Sequence, residues 1–250
     1  MISIRGVKHS IQGKPILQDI NLDLPRGGVT ALIGPNGAGK STLLSLIARL
    51  QPLGTGTIRI DALQIGACSD AALARVLAIM PQSAQISARL RVGEAVMMGR
   101  YPWHRGRPGK RDGDIVAETL RLFSLTSLAD RFLDEISGGQ RQRAMVAMAY
   151  AQETDYLLLD EPLNNLDIAA SRHLMRLLRQ MADTGRKSIV IVLHDINYAA
   201  AFADRVVVMR EGRIVADGAP GAVITPALMG DVFETDAKVH LVDDRPVVLV

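Results

Sequence analysis

Residues 29–42 read VTALIGPNGAGKST, a short apolar, β-branched run that passes directly into a glycine, four residues and Gly-Lys-Ser. Residues 43–50, LLSLIARL, then carry apolar side chains at helical spacing, so the glycine-rich stretch lies between a strand and a helix. That context decides the reading. Glycines let successive backbone N–H groups curl around phosphate oxygens, and the helix start adds a partial positive charge. Gly34, Pro35, Asn36, Gly37, Ala38, Gly39, Lys40, Ser41 and Thr42 are therefore assigned to a phosphate cradle. Lys40 is expected to reach the β- and γ-phosphates of a nucleotide, and the Ser41 hydroxyl to ligate Mg²⁺. The plainer alternative is a Gly-rich turn without a ligand, which the strand and helix on either side disfavour.

Working outward, short Ile-, Val- or Leu-rich runs recur at residues 2–7, 20–24, 57–60 and 76–80 and read as strands. Beyond Met80 the texture changes, and residues 87–98, 115–122 and 140–152 carry apolar positions at helical spacing. Strand-like runs return at 156–159, 188–193, 205–209 and 213–216, with a helix around 169–181 between them. This alternation predicts one α/β domain over residues 1–250: a mainly parallel sheet wrapped by helices, with a helical subdomain inserted at 84–153 and a small C-terminal extension at 219–250. Residues 100–113, rich in Arg, Gly, Pro and Lys, are expected to form an exposed loop, and 239–250 a hairpin turning at 243–246.

Composition narrows the classes. Hydrophobic residues make up 48% of the 250 but aromatics only 4%, so the core must be aliphatic. With 29 basic and 26 acidic residues well mixed, a net charge of +3 gives no argument for nucleic-acid binding. The single Cys68 cannot form an intrachain disulfide, and no basic-then-apolar leader stands at Met1, so a reducing cytoplasm is expected. The longest apolar runs fall far short of the ~20 residues that span a bilayer, so a membrane role must pass through a partner.

The run at 156–159 ends in Asp160-Glu161-Pro162, which places two carboxylates at the carboxyl end of a buried strand, where open α/β sheets bind ligands. Asp160 is expected to hold Mg²⁺ and Glu161 to orient or deprotonate an attacking water. His194 follows the apolar run 189–193 and should emerge at the same sheet edge, within reach of a γ-phosphate; a plain polar strand end is the alternative. Gln82 follows Met80-Pro81 where the strand-like texture gives way to helix, and its amide can sense Mg²⁺ and water without adding charge.

Ser137-Gly138-Gly139-Gln140 precedes a second long helical pattern, with Ser137 placed as an N-cap. A single nucleotide has one triphosphate, already cradled at 34–42, so a second anion-binding helix start in one chain needs explaining. A head-to-tail pair, in which each copy closes its second site over the partner's nucleotide, explains it economically. Taken alone, SGGQ would be an unliganded Gly-rich cap.

In order, GPNGAGKST, the Gln82 junction, ISGGQRQR, YLLLDEP, NNLD at 164–167 and His194 resemble the motifs of ABC transporter ATPases across essentially the whole chain. The resemblance implies the ABC form of the P-loop NTPase core, with an N-terminal antiparallel β subdomain beside the parallel sheet. It implies a homodimer that sandwiches two ATP molecules with Mg²⁺, Ser137, Gly138, Gly139 and Gln140 touching the nucleotide held by the other copy and Asp167 at the seam. Lys40, Gln82, Glu161 and His194 would carry hydrolysis, and Ser41, Gln82 and Asp160 the metal. A groove near Gln82 would pass the motion to permease subunits at the cytoplasmic face of the bacterial inner membrane, served indirectly by a periplasmic or surface substrate-binding protein. Ile11 stands where the family has an adenine-stacking aromatic, and Ile136 and Leu163 where Leu and Thr are commoner.

Within the family, residues 99–102 (GRYP), the block QRQRAMVAMAYAQETDYLLLDEP, EPLNNLD and LHDIN most resemble ATPases of ferric-siderophore importers, close to those for haem and cobalamin. The Arg- and Lys-bearing stretch at 101–111, with Trp103, is expected to face the permease or lipid headgroups rather than nucleic acid. A soluble ABC ATPase usually carries paired units or long coiled-coil insertions, which this chain lacks. A P-loop GTPase or small-molecule kinase would leave SGGQ unexplained.

Overall fold

The computed structural model describes residues 1–82, 89–185 and 187–249. The chain opens with β1 (Ile2–Ile11), β2 (Lys14–Leu24), β3 (Gly28–Ile33), α1 (Lys40–Ile47), β4 (Thr55–Ile60), β5 (Leu63–Gln64), α2 (Asp70–Leu73) and β6 (Leu77–Met80). A helical stretch follows: α3 (Val92–Met98), α4 (Tyr101–His104), α5 (Lys110–Leu122) and α6 (Gly138–Ala151). It closes with β7 (Tyr156–Asp160), α7 (Ile168–Gly185), β8 (Ser188–Val192), α8 (Ile196–Phe202), β9 (Arg205–Arg210), β10 (Arg213–Gly218), α9 (Pro220–Val223), α10 (Pro226–Phe233), β11 (Lys238–Val242) and β12 (Arg245–Leu249).

Residues with continuous apolar runs become strands covered on both faces, as parallel sheets require. The central sheet has the order β10-β9-β3-β8-β7-β6, parallel from β9 through β6 with only β10 antiparallel. Alternation along these strands feeds two cores. Val29, Ala31 and Ile33, with Leu157, Leu159, Ile189 and Ile191, face α6 and α7; Leu32, Leu158, Val190 and Val192 face α1. The second core is closed by a four-stranded antiparallel sheet, β2-β1-β4-β5, whose Ile2, Ile4, Ile20 and Leu24 cover Leu43, Leu44 and Ile47 of α1. Each such fully buried aliphatic side chain contributes about 1.5–3 kcal/mol. This layering fixes α1, and with it the glycine-rich loop, at the carboxyl edge of β3.

The expected α/β architecture with its antiparallel subdomain and helical insertion is present. Two expectations are corrected. Residues 100–113 are not one exposed loop: they contain α4 and the start of α5, and Arg100 is only 2% exposed. Its guanidinium donates to Ala151 O at 2.8 Å, Glu153 Oε2 at 2.9 Å and Asp112 Oδ1 at 3.2 Å, so the buried cation has acceptors on every side. Trp103 Nε1 donates to Gln152 O at 2.7 Å, pinning α4 to the end of α6. The helix read at 87–98 begins at Val92; residues 84–88 of the predicted insertion lie outside the described residues. The terminal hairpin forms as expected, turning at Asp243 and Asp244.

Candidate active site

Because β3, β8, β7 and β6 are parallel neighbours, their carboxyl ends share one edge, and the residues leaving those ends converge there. They are Gly34, His194, Asp160 with Glu161, and Gln82. The glycine-rich loop leaves β3 with Gly34 at φ 143°, a position where an added Cβ would fall 2.0 Å from Met209 O, so only glycine lets the loop pass this close to β9. Gly39, at φ 96°, then starts α1, whose first residue is Lys40.

Together these elements line a cleft of ≈ 440 Å³ walled by Ile16, Asn36, Gly37, Ala38, Gly39, Lys40, Ser41, Thr42, Gln82, Glu161 and His194. Lys40 is buried and folds back into its own loop, Nζ donating to Gly34 O at 2.7 Å and Pro35 O at 2.9 Å. Burial lowers its pKa, and the nearby Glu161 and Asp160 charges oppose that. Ser41 Oγ donates to Asp160 Oδ1 at 2.9 Å. Burial raises the Asp160 pKa, and the Ser41 bond counters it in part. A hydroxyl and a carboxylate meeting at a buried point form the hard oxygen donor set that Mg²⁺ takes, so these residues fit that ion.

Glu161 is 8% exposed and held at φ 52°, a left-handed backbone conformation that aims its side chain into the cleft wall. His194 Nε2 lies 2.7 Å from Oε1, while Gln82 Nε2 and Asn164 Nδ2 donate to Oε2 at 2.8 and 2.7 Å. Burial alone would push this carboxyl up, but the donors at Asn164, His194 and Gln82 outweigh it and hold the carboxyl below the ordinary range. The Glu161 carboxylate is thus kept ionised and oriented.

The other predicted residues lie apart from this cleft. Ser137 caps α6, its Oγ accepting from Gln140 N–H at 3.2 Å while Gln140 Oε1 accepts from Ser137 N–H at 3.0 Å. Gly138 and Gly139 pack against the 164–167 turn; a Cβ on Gly139 would sit 3.2 Å from Asn165 O. Asp167 Oδ1 accepts from Ala170 N–H at 2.7 Å at the start of α7. None of these residues is among those lining the cleft of its own chain. Ile11, 41% exposed at the end of β1, is not in the lining either; the aliphatic wall there is Ile16. Two contacts went unread in the sequence: Asn164 on the Glu161 carboxylate, and Gln142 Nε2 on Glu161 O at 3.2 Å, which ties α6 to the end of β7. The spacing of Asn164, three residues beyond Glu161 across a Pro-containing turn, was the available signal.

A glycine-rich cradle at the carboxyl edge of a parallel sheet, faced by a buried carboxylate pair, defines a P-loop nucleotide hydrolase. The chain belongs to the ABC transporter family: the family model described as ABC transporter matches residues 17–164. It is an ATP-binding ABC transporter ATPase. The chain is 40% identical over 245 residues to the petrobactin import ATP-binding protein YclP of Bacillus subtilis (strain 168), covering 98% of this chain and 97% of that one. To the petrobactin import ATP-binding protein FatE of Bacillus anthracis it is 43% identical, covering 96% of both. To the hemin import ATP-binding protein HmuV of Rhodococcus jostii (strain RHA1) it is 38% identical, covering 91% of this chain and 78% of that one. Among solved structures, an inward-facing metal-chelate type ABC transporter superposes with a TM-score of 0.84 at 26% identity, covering 99% of this chain and 96% of that one. A dimeric bacterial ABC transporter cassette superposes with a TM-score of 0.79, also at 26% identity, covering 88% of this chain and 98% of that one.

Proposed function

We propose that this chain powers import of a ferric siderophore through a separate membrane permease, acting as a homodimer at the cytoplasmic face of the cell membrane. The observation that carries the cargo class is the near-complete coverage of the petrobactin import relatives at 40 and 43% identity. No helix among the described residues is long and apolar enough to cross a membrane, so the path for cargo belongs to the permease. A cavity of ≈ 470 Å³ on the helical subdomain, walled by Arg91, Met97, Met98, Tyr101 and His104 among others, offers the permease an apolar seat with a charged rim. A substrate-binding protein outside the membrane enters only indirectly.

Two ATP molecules lie between the two copies. In each site the 34–42 loop cradles the phosphates of its own nucleotide, with Lys40 released from the Gly34 and Pro35 carbonyls to reach the β- and γ-phosphates. Ile16, on the cleft wall, gives the base aliphatic contact in place of an aromatic ring, forgoing stacking of about 1 kcal/mol, while Ile11 lies outside that wall. The partner copy's α6 start supplies Ser137, Gly138, Gly139 and Gln140, which do not line the cleft of their own chain, and Asp167 stands at the seam. Ser41, Asp160 and Gln82 would hold Mg²⁺, which would supply positive charge against the charge that develops on the phosphate. Glu161 takes a proton from the attacking water, and His194 turns to the γ-phosphate. Separation of the copies after hydrolysis moves the helical subdomain and the permease.

A hemin importer is the second reading, favoured by the 38% identity to a hemin import relative. Cells whose only copy is either the native chain or Lys40→Ala are expected to differ in uptake of labelled ferric petrobactin but not of hemin or cobalamin. Equal uptake of the ferric siderophore by both cell lines would remove this cargo assignment.

A further inference from the structure

Glu161 has two oxygens and they are not equivalent. Oε1 meets one donor, His194 at 2.7 Å, while Oε2 meets two, Gln82 at 2.8 Å and Asn164 at 2.7 Å. Gln82 and His194 both stand on the wall of the cleft, where nucleotide and metal compete for their side chains; Asn164 is not part of that lining. Asn164 approaches from the turn that follows the carboxylate, and its own N–H also donates to Glu161 O at 3.2 Å. Gln142 Nε2 holds the same carbonyl oxygen at 3.2 Å, so the turn carrying both side chains is fixed from α6 as well. Asn164 is thus the one of the three donors that stands outside the lining of the cleft that nucleotide would fill.

We propose that Asn164 is the positioning residue that decides which oxygen of Glu161 reacts: it anchors Oε2, so that Oε1, vacated by His194, faces the attacking water. This rests on the reading of Glu161 as the general base. In the step itself the water oxygen bonds to the γ-phosphorus while its proton passes to Glu161 Oε1. The bond from the γ-phosphorus to the ADP oxygen breaks, and ADP leaves with that electron pair. A shorter hydroxyl or methyl side chain at 164 has no amide to place on Oε2.

Single-turnover ATP hydrolysis by the full chain, with ATP affinity measured alongside, tests this on Asn164→Ala, Asn164→Asp and Glu161→Gln. For Asn164→Ala the rate constant is expected to fall about 10–100-fold, the worth of one hydrogen bond to a charged group, with ATP affinity unchanged. Asn164→Asp, isosteric but unable to donate, should lose at least as much rate, again with ATP affinity unchanged. Native rates in both variants would overturn the proposal, as would a fall in rate matched by an equal fall in ATP affinity, the mark of a structural role. Normal turnover by Glu161→Gln would instead remove the general-base reading, and this inference with it.

Discussion

Glu161→Gln binds ATP with near-native affinity yet hydrolyses it about 10²–10⁴-fold more slowly, the usual worth of a general base. The amide matches the carboxylate in shape, so the backbone at φ 52° and the cradle at 34–42 are undisturbed. What changes is basicity. In the native protein the donors at Asn164, His194 and Gln82 keep the carboxyl below its ordinary range despite burial, so it is ionised throughout the neutral range and ready to accept a proton. A neutral amide cannot accept one. With hydrolysis stalled, ATP stays between the copies, and light scattering in ATP should report an accumulated dimer. A monomer with bound nucleotide would contradict the sandwich arrangement.

Lys40→Ala loses nucleotide binding. Its ammonium is buried and makes its hydrogen bonds to Gly34 O and Pro35 O, both within the loop it serves. A cation placed there at the cost of desolvation is matched by the phosphate charge it meets. Removing one member of such a buried charged pair costs about 2–5 kcal/mol, so affinity should fall by about thirtyfold to several thousandfold. Fluorescent-nucleotide titration of the variant measures this directly. An affinity within a few-fold of native would show that backbone N–H groups alone hold the phosphates.

The cradle was legible because its chemistry is local: one glycine stretch between a strand and a helix. The convergence of Asp160, Glu161, Gln82 and His194 was legible for a related reason. Apolar runs buried on both faces read as parallel strands, and parallel strands deliver their carboxyl ends to one edge. Ser137 as an N-cap followed from the residue type and the helix after it. Arg100 was not legible. A cation among glycines and prolines reads as solvent-exposed, and the groups that make its burial tolerable, Asp112, Ala151 O and Glu153, are 12, 51 and 53 residues away. β2, with Gln18, Asp19, Asn21 and Asp23 interrupting its apolar positions, read as a strand only at 20–24, although it spans Lys14–Leu24. Only one of its faces is buried, and half of its sequence signal is therefore polar. Ile16 was missed as the cleft wall because a residue's position in a family motif does not report which neighbouring side chain the loop turns inward. The Asn164 contact depends on the turn geometry after β7, which spacing suggests and the Gln142 and Asn164 N–H bonds to Glu161 O fix.

Ser137→Arg tests the pairing of two copies around shared nucleotides most directly. Its own cradle is intact and Ser137 does not line that cleft, so ATP should bind with near-native affinity while turnover disappears, because the bulky cation blocks the partner's γ-phosphate. Steady-state turnover at the native rate would mean that each chain completes its own site, and the shared-site account would be wrong.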